Sequence, residues 1–355
     1  MRGEPVRLIN KLGYCLMATI PVVALAACSS SGRGSGIATG PAPEVSSIVI
    51  DAVPTADAAG LYIAADAGYF AQQGLNVKIV PINGGEYGMG DLQTGKAQLI
   101  EGNYVSFILA QASGKFAAPN PNNPAQTEPS KPIDMRLIAD ASRMQAGNQA
   151  LYVLPSSPYK TVKQLVNAHA AVGVNTLHNI GSVFLGSLLT ADGYGVTALK
   201  QVPEILPMMP ELLDKHAIPA AWLPEPFGTE AQQEYGAVQL ADFNQGSLQN
   251  FPIGTVAGSA SWVQSHPNTV AAFLRAYQAG QQVADTNRAA VEKALVTHTG
   301  VTKEIAATMT LDTYPLVMDV PVMQRVADAM YEFGVITKPY KIQNMIQPEQ
   351  GEIGG

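Results

Sequence analysis

The chain has 355 residues, a formal net charge of −7, 47% hydrophobic residues and two cysteines, Cys15 and Cys28. The acidic balance excludes a nucleic-acid partner, because phosphate contacts need a surplus of Lys and Arg, and it disfavours an anionic membrane surface for the same reason. Two cysteines rule out a small disulfide-stapled scaffold, so the fold must rest on a core large enough to hold itself together.

Arg2, Arg7 and Lys11 precede an apolar stretch from Cys15 to Ala24, and the small residues Ala26 and Ala27 stand before Cys28. This is the three-part layout of an export signal. The stretch falls short of the roughly 20 apolar residues that a permanent membrane helix needs. Cleavage before Cys28 removes residues 1–27 with Cys15, leaving 328 residues with a net charge of −9 and no possible internal disulfide. Ser29 to Gly36 has the composition of a flexible tether, and residues 28–45 are assigned to it.

Ser46 to Pro54 reads as a strand, β-branched and bounded by proline. In the next segment Ala58, Leu61, Tyr62, Ala65 and Tyr69 recur at helical spacing, with Thr55 or Asp57 placed to cap the start and Gly74 to end it. Leu75 to Ile82 alternates again, which completes a βαβ unit with parallel strands and a right-handed crossover. A glycine-rich loop with a short helix follows, then the strand KAQLIEGN, the helix YVSFILAQASG and the strand DMRLIADAS. Lys115 to Pro132, rich in Pro and Asn, reads as an exposed loop.

From about Gln149 a second set begins: the strands QALYVLP, AAVGVN, PAAWLPEP and GAVQLADF, with helices TVKQLVNA, NIGSVFLGSLLTADG and MMPELLDKH between them. Beyond FPIGTVAGS the chain turns helical, with Pro267 at a first helical position. The reading is an α/β fold of two lobes, each a mostly parallel sheet flanked by helices. Lobe I takes residues 46–145, lobe II residues 146–248, and residues 249–355 return to lobe I and add C-terminal helices.

Leu25-Ala26-Ala27-Cys28 resembles the lipobox of bacterial lipoproteins, in which the cysteine is acylated after cleavage. One acyl chain binds a membrane only marginally, so a diacylglycerol is what such an anchor requires. The segment from Gly60 to Gly85 is similar to the hallmark of the solute-binding receptors of ABC importers for nitrate, taurine, sulfonates and thiamine precursors. It carries Gly60 to Ala64, Gly68-Tyr69-Phe70, Gly74-Leu75-Asn76-Val77 and Gly84-Gly85. LQTGKAQLIEGN, AAWLPEPF (Ala220 to Phe227) and ASWVQSHPNTVAAFLRAY resemble later parts of the same pattern. Two features depart from it: the Lys115 to Pro132 segment, and Glu101-Gly102-Asn103 where small residues are common.

The resemblance implies a type II periplasmic-binding-protein-like fold that holds a small solute in an interlobe cleft and hands it to an ABC permease with its ATPase. It implies a lipid-anchored monomer on the outer face of the cytoplasmic membrane or in the periplasm, with no enzymatic activity, no cofactor and no metal. A sulfonate, taurine or nitrate-like anion is the default solute. The alternatives are an aminopyrimidine thiamine precursor, or a sensor or scaffold lipoprotein of the same fold without transport.

Other chemistries fit less well. Gly90 to Lys96 has the spacing of a phosphate-binding loop, but Ala97 stands where a hydroxyl is needed and the order is helix to strand; Gly95 reads as a helix C-cap. Ser157 and Lys160 match a penicillin-binding serine motif whose partner motifs are missing. The five histidines lack ligand spacing. Thiamine-pyrimidine-synthesising relatives of this fold share a cysteine-rich segment that this chain lacks.

Candidate ligand groups lie at strand ends, where open α/β sheets bind. Thr55 and Asp57 follow the first strand, and Gly84 and Gly85 allow close backbone approach. Asn103 and Tyr104 offer an amide and an aromatic face. Asn175, Thr176 and Asn179 lead into a helix whose N-terminus suits an anion, while Asn179 equally suits a cap. Trp222 is either cleft wall or core. Glu225 favours an amine if buried and is otherwise a solvated turn. Arg143 pairs with a ligand acid or with an exposed acid of the protein. Hinges are expected near 140–150 and 245–255.

Overall fold

The computed structural model describes residues 37–113, 117–120, 123–129 and 133–346. The expected export signal, Cys28 and residues 29–36 of the expected tether lie outside the described residues; residues 37–45, expected to be flexible, lie against the fold, with Glu44 accepting the Asn268 and Thr269 N–H groups at 2.9 and 2.7 Å. Ile37 onward forms one compact unit, and no helix among the described residues is long and apolar enough to cross a membrane.

The strands are β1 (Ser47–Ala52), β2 (Asn76–Pro81), β3 (Leu99–Asn103), β4 (Ala117–Asn120), β5 (Asn123–Pro129), β6 (Met135–Asp140), β7 (Gln149–Val153), β8 (Ala171–Val174), β9 (Lys200–Pro203), β10 (Ala220–Pro224), β11 (Val238–Asp242) and β12 (Gly254–Ser259). They build two five-stranded mixed sheets, in the orders β2-β1-β3-β12-β6 and β11-β7-β10-β8-β9. In the first, β1 runs parallel to β2 and β3, and β12 runs antiparallel between β3 and β6. In the second, β8 is parallel to β9 and β10, while β7 opposes β10 and β11.

The antiparallel strands mark where the chain changes sheets. It leaves the first sheet after β6 and enters the second at β7, then leaves after β11 and returns at β12. Residues 141–148 and 243–253 are therefore the two crossings. They are laced together: Met144 N–H donates to the Phe251 carbonyl at 2.8 Å, and Arg143 exchanges backbone bonds with Thr313.

The helices are α1 (Ala59–Asp66), α2 (Tyr69–Gln72), α3 (Met89–Thr94), α4 (Tyr104–Ser113), α5 (Val162–Asn167), α6 (Ile180–Ala191), α7 (Met209–Asp214), α8 (Phe227–Tyr235), α9 (Ala260–Ser265), α10 (Pro267–Thr286), α11 (Arg288–His298), α12 (Lys303–Thr308) and α13 (Val320–Glu332). The expected single helix after β1 is broken into α1 and α2. Gly68 sits between them at φ 70°, a left-handed conformation that stops the helix and that only glycine adopts without strain. Ile48 and Ile50 of β1 alternate into a core that Leu61 of α1 and Phe273 of α10 complete. Pro267 opens α10 at a first-turn position, where its missing N–H costs nothing.

The Lys115 to Pro132 segment is not the expected loop throughout. β4 and β5 pair antiparallel across it, so Pro119, Pro124 and Pro129 stand in a two-stranded sheet without an inner strand for them to interrupt. β9 is a strand that the sequence pattern did not separate from its surroundings.

Candidate functional site

The carboxyl ends of β1, β3, β8 and β10 converge on a cavity of about 40 Å³. That is room for water or one small polar group, far below the roughly 300 to 1,000 Å³ of small-molecule sites, so an organic solute enters only if the two halves part. The first sheet contributes Thr55, Asp57, Glu101 and Asn103; the second contributes Gln149, Asn175 and Trp222.

Thr55 and Asp57 follow β1 through a short 3₁₀ turn. Neither caps a helix: the Thr55 hydroxyl donates to Asp57 Oδ2 at 2.6 Å, and the Ser142 hydroxyl donates to Asp57 Oδ1 at 2.5 Å. Burial raises the Asp57 pKa, against the lowering effect of those two hydroxyls. Asp57 is thus fully hydrogen-bonded by the protein itself.

Glu101 is different. It stands in the middle of the first sheet, between Ala52 of β1 and Val256 of β12. It is 2% exposed, and neither carboxylate oxygen has a hydrogen-bond partner. Burial drives its pKa well above the usual carboxylate range, and the nearby Asp57 charge adds to that. Across the cavity, Asn175 Oδ1 is also buried without a partner.

The Trp222 indole N–H donates to Gln149 Oε1 at 3.0 Å, and its ring meets Phe184 edge-on at 5.7 Å between centroids. Both contacts fix the ring, so Trp222 is core on one side and cavity wall on the other. Gly181 lets the α6 backbone come close to it: a Cβ there would lie 2.8 Å from the indole. Asn103 Oδ1 accepts the Ser106 N–H at 3.0 Å and so caps α4 while lining the cavity.

Beside the cavity, Glu86 ties the two halves together. Its Oε2 accepts the Ser106 hydroxyl at 2.8 Å and the Asn179 side-chain N–H at 3.2 Å, and its Oε1 accepts the Thr176 hydroxyl. Ser106 belongs to the α4 side, whereas Thr176 and Asn179 belong to the loop after β8. Gly84 makes room for this carboxylate, since a Cβ there would lie 2.5 Å from Glu86 Oε1.

Of the sequence candidates, Thr55, Asp57, Gly84, Asn103, Asn175 and Trp222 line the cavity. Six others lie elsewhere. Gly85 packs against Phe107 and Gly102, and a Cβ on Gly102 would lie 2.9 Å from its Cα. Tyr104 does not offer its face to a ligand: at the first turn of α4 it drops into the core, with its hydroxyl donating to Asp140 Oδ1 at 2.9 Å. Arg143 pairs with the same Asp140 at 3.0 Å, a buried acid and not an exposed one.

Thr176 and Asn179 belong to the Glu86 cluster. Asn179 Oδ1 also accepts the Ile180 N–H at 2.7 Å, so the α6 N-terminus is already capped. Glu225 is buried, yet it turns to α8 and accepts the Thr229 N–H and hydroxyl at 3.1 and 2.8 Å. Burial lifts its pKa to about 7.

The sequence reading did not single out Glu86, Ser106, Ser142 or Gln149. The signals were present but local: an acid inside a glycine-rich loop, and one hydroxyl within the apolar run YVSFILA.

Two sheets joined by two crossings, with a cavity at the strand ends between them, define a periplasmic-binding-protein fold. The NMT1-like family model matches residues 41–298, and the chain belongs to that family. Among curated proteins, none matches the sequence itself. Solved structures show how widely the architecture is shared. The alkanesulfonate-binding protein of Xanthomonas axonopodis pv. citri, bound to MOPS, is 14% identical with a TM-score of 0.68, over 86% of this chain and 99% of that one. The periplasmic nitrate-binding protein of Synechocystis PCC 6803 is 15% identical with a TM-score of 0.68, over 86% and 85%. A desulfurization enzyme has the same fold at 14% identity and a TM-score of 0.60, over 86% and 97%.

Proposed function

We propose that this chain is an extracytoplasmic solute receptor, anchored by lipid on Cys28, that captures a small organic molecule between its two sheets and delivers it to an ABC permease. The observation that carries this reading is the cavity at the carboxyl ends of four strands, walled by both halves of a molecule whose halves are joined by two short crossings. Family membership and the binding proteins among its structural neighbours support it.

Residues 141–148 and 243–253 serve as hinges in this reading. The ligand stabilises the closed form because it contacts both halves at once, and a ligand moves such an equilibrium only by its preference for one state. No Arg, Lys or His side chain lines the cavity to pair with the sulfonate-, taurine- or nitrate-like anion that the resemblance makes the default, so the aminopyrimidine alternative stays open.

The test is native mass spectrometry of the purified chain before and after incubation with sulfonates, nitrate, taurine and pyrimidines. A retained or acquired adduct that contacts both halves supports the receptor reading. Turnover of a bound compound overturns it in favour of an enzyme. For the anchor, Cys28→Ser is expected to move the protein from the membrane to the soluble fraction with an unchanged melting temperature; retention on the membrane would sink the lipid assignment.

A further inference from the structure

We propose that the pole of the first half formed by α2 and the start of α10 is the face this receptor turns to the lipid bilayer, because residues 37–45 strap the anchored end of the chain onto it. This rests on the lipid anchor at Cys28 and gives that anchor a docking face and an orientation.

Residues 37–45 fall in the expected tether, yet both ends of the segment are held. Ile37 N–H donates to Gln72 Oε1 at 3.3 Å, and Gln73 Nε2 donates to the Ala38 carbonyl at 2.8 Å. Arg275 Nε fixes Gln73 in turn, donating to its Oε1 at 2.7 Å, and Gly40 passes so close to the Arg275 guanidinium that a Cβ there would lie 2.7 Å from it. At the other end, Glu44 Oε1 accepts the Asn268 N–H at 2.9 Å, and its Oε2 accepts the Thr269 N–H and hydroxyl at 2.7 and 2.8 Å. Ile37 and Val45 add apolar contact with the core that holds Leu61 and Phe273.

Glu44 does more than pin the strap. α10 starts at Pro267 without a side-chain cap of its own, and the first N–H groups of a helix need an acceptor. The strap supplies it, as a carboxylate at the positive end of a helix dipole. Burial raises the Glu44 pKa, but the Asn268 and Thr269 N–H groups and the Thr269 hydroxyl outweigh it and hold it at about 2. The charge that makes the cap is therefore present at neutral pH.

Two lengths turn the strap into an orientation. Residues 29–36 separate Cys28 from Ile37, and a chain gains at most about 3.6 Å per residue, so the reach from the acylated residue to the strap is at most about 32 Å. Were residues 37–45 loose, the same limit at Ser46 would be about 65 Å. A compact chain of this size has a radius of gyration of about 20 Å and is about 50 Å across. The longer reach permits every orientation; the shorter one excludes those with this pole outermost. The strap leads into the amino end of β1, whereas the cavity lies at its carboxyl end. The half that carries the strap is the fixed one, and closure on a solute swings the second half.

The test measures how near each half lies to the bilayer, with the full mature chain in phosphatidylcholine vesicles that carry an acceptor lipid. With Cys28 acylated and Cys15 removed with the signal, one introduced cysteine takes the donor dye: Ala71→Cys on α2, or Asn167→Cys before the amino end of β8, both exposed positions. Energy transfer is expected to be at least twofold stronger from Ala71→Cys. Amide hydrogen exchange should be slow at Val45, Asn268 and Thr269. Glu44→Ala combined with Gln73→Ala frees both ends of the strap, and should lift that protection and bring the transfer from the two dyes together. If this double variant does not fold, the two dyes on the otherwise unchanged chain still decide.

Equal transfer from the two dyes, or stronger transfer from Asn167→Cys, overturns the orientation and leaves the anchor and the receptor intact. Fast exchange at Val45 overturns the strap itself. A Cys28 without an acyl chain, read from the intact mass, overturns the anchor and the bilayer face together.

Discussion

Two glutamates of the first lobe, Glu86 and Glu101, are equally buried and differently treated. Glu86 is 1% exposed and holds three partners drawn from both halves of the molecule. Glu101 is 2% exposed and holds none. The first is a structural acid, satisfied by the chain across the seam. The second is a buried acid that no donor of the fold satisfies. Burial by itself therefore says little about a carboxylate's role; the source of its hydrogen bonds decides.

The largest effect is expected from Glu86→Ala. It strips three donors of their acceptor, and removing one member of a buried charged cluster typically costs about 3–5 kcal/mol. The melting temperature should fall by several degrees, and small-angle scattering should show a more open molecule. An unchanged radius of gyration would mean that Glu86 does not hold the halves together.

Gly84→Ala comes next. The added methyl would press on the Glu86 carboxylate at 2.5 Å, and overpacking of this kind costs about 1–3 kcal/mol. Chemical denaturation measures it. A neutral result would show that the carboxylate can shift without losing its partners.

Glu101→Gln should have the opposite sign, because it removes a buried carboxyl that loses its proton with no partner. An unpartnered buried group costs about 1–3 kcal/mol once it must carry charge. The folded-state pKa of Glu101 is raised, so the folded protein binds its proton more tightly than the unfolded chain does. Stability is therefore higher at low pH and is lost as the pH climbs through the raised value. Asp140, lifted by burial to about 6 despite Arg143, and Glu225, lifted to about 7, act in the same direction.

Without ligand, the protein should melt at a higher temperature at pH 5 than at pH 8. Glu101→Gln should shrink that gap. A melting temperature that rises with pH in the wild type would overturn this reading of the raised acids.

Much of the fold was legible in the residues. β1, α1 and β2 announce themselves by a switch from strand to helical period and back, and Gly95 closes α3 in the left-handed conformation expected of a C-cap. These features are local, because backbone preference and side-chain period act within one element. The break at Gly68 was visible only as a glycine inside a helical pattern, and the proline-rich hairpin gave no strand signal because its pairing is with itself.

The site was legible by position more than by role. Asn103, Asn175 and Trp222, chosen at strand ends, line the cavity. Their chemistry was not fixed until side chains distant in sequence met. Tyr104 was claimed by Asp140, Asn179 by Glu86 and Glu225 by Thr229, each a competition between a ligand role and an internal partner that one-dimensional spacing does not record.

The sequence by itself determined the α/β alternation, the order of the elements and the acidic balance, because each follows from local periodicity and composition. Only the tertiary structure decided which acids were satisfied and which were left open. Hydrogen-bond saturation depends on groups that folding brings together across the two sheets, and the difference between Glu86 and Glu101 exists only there.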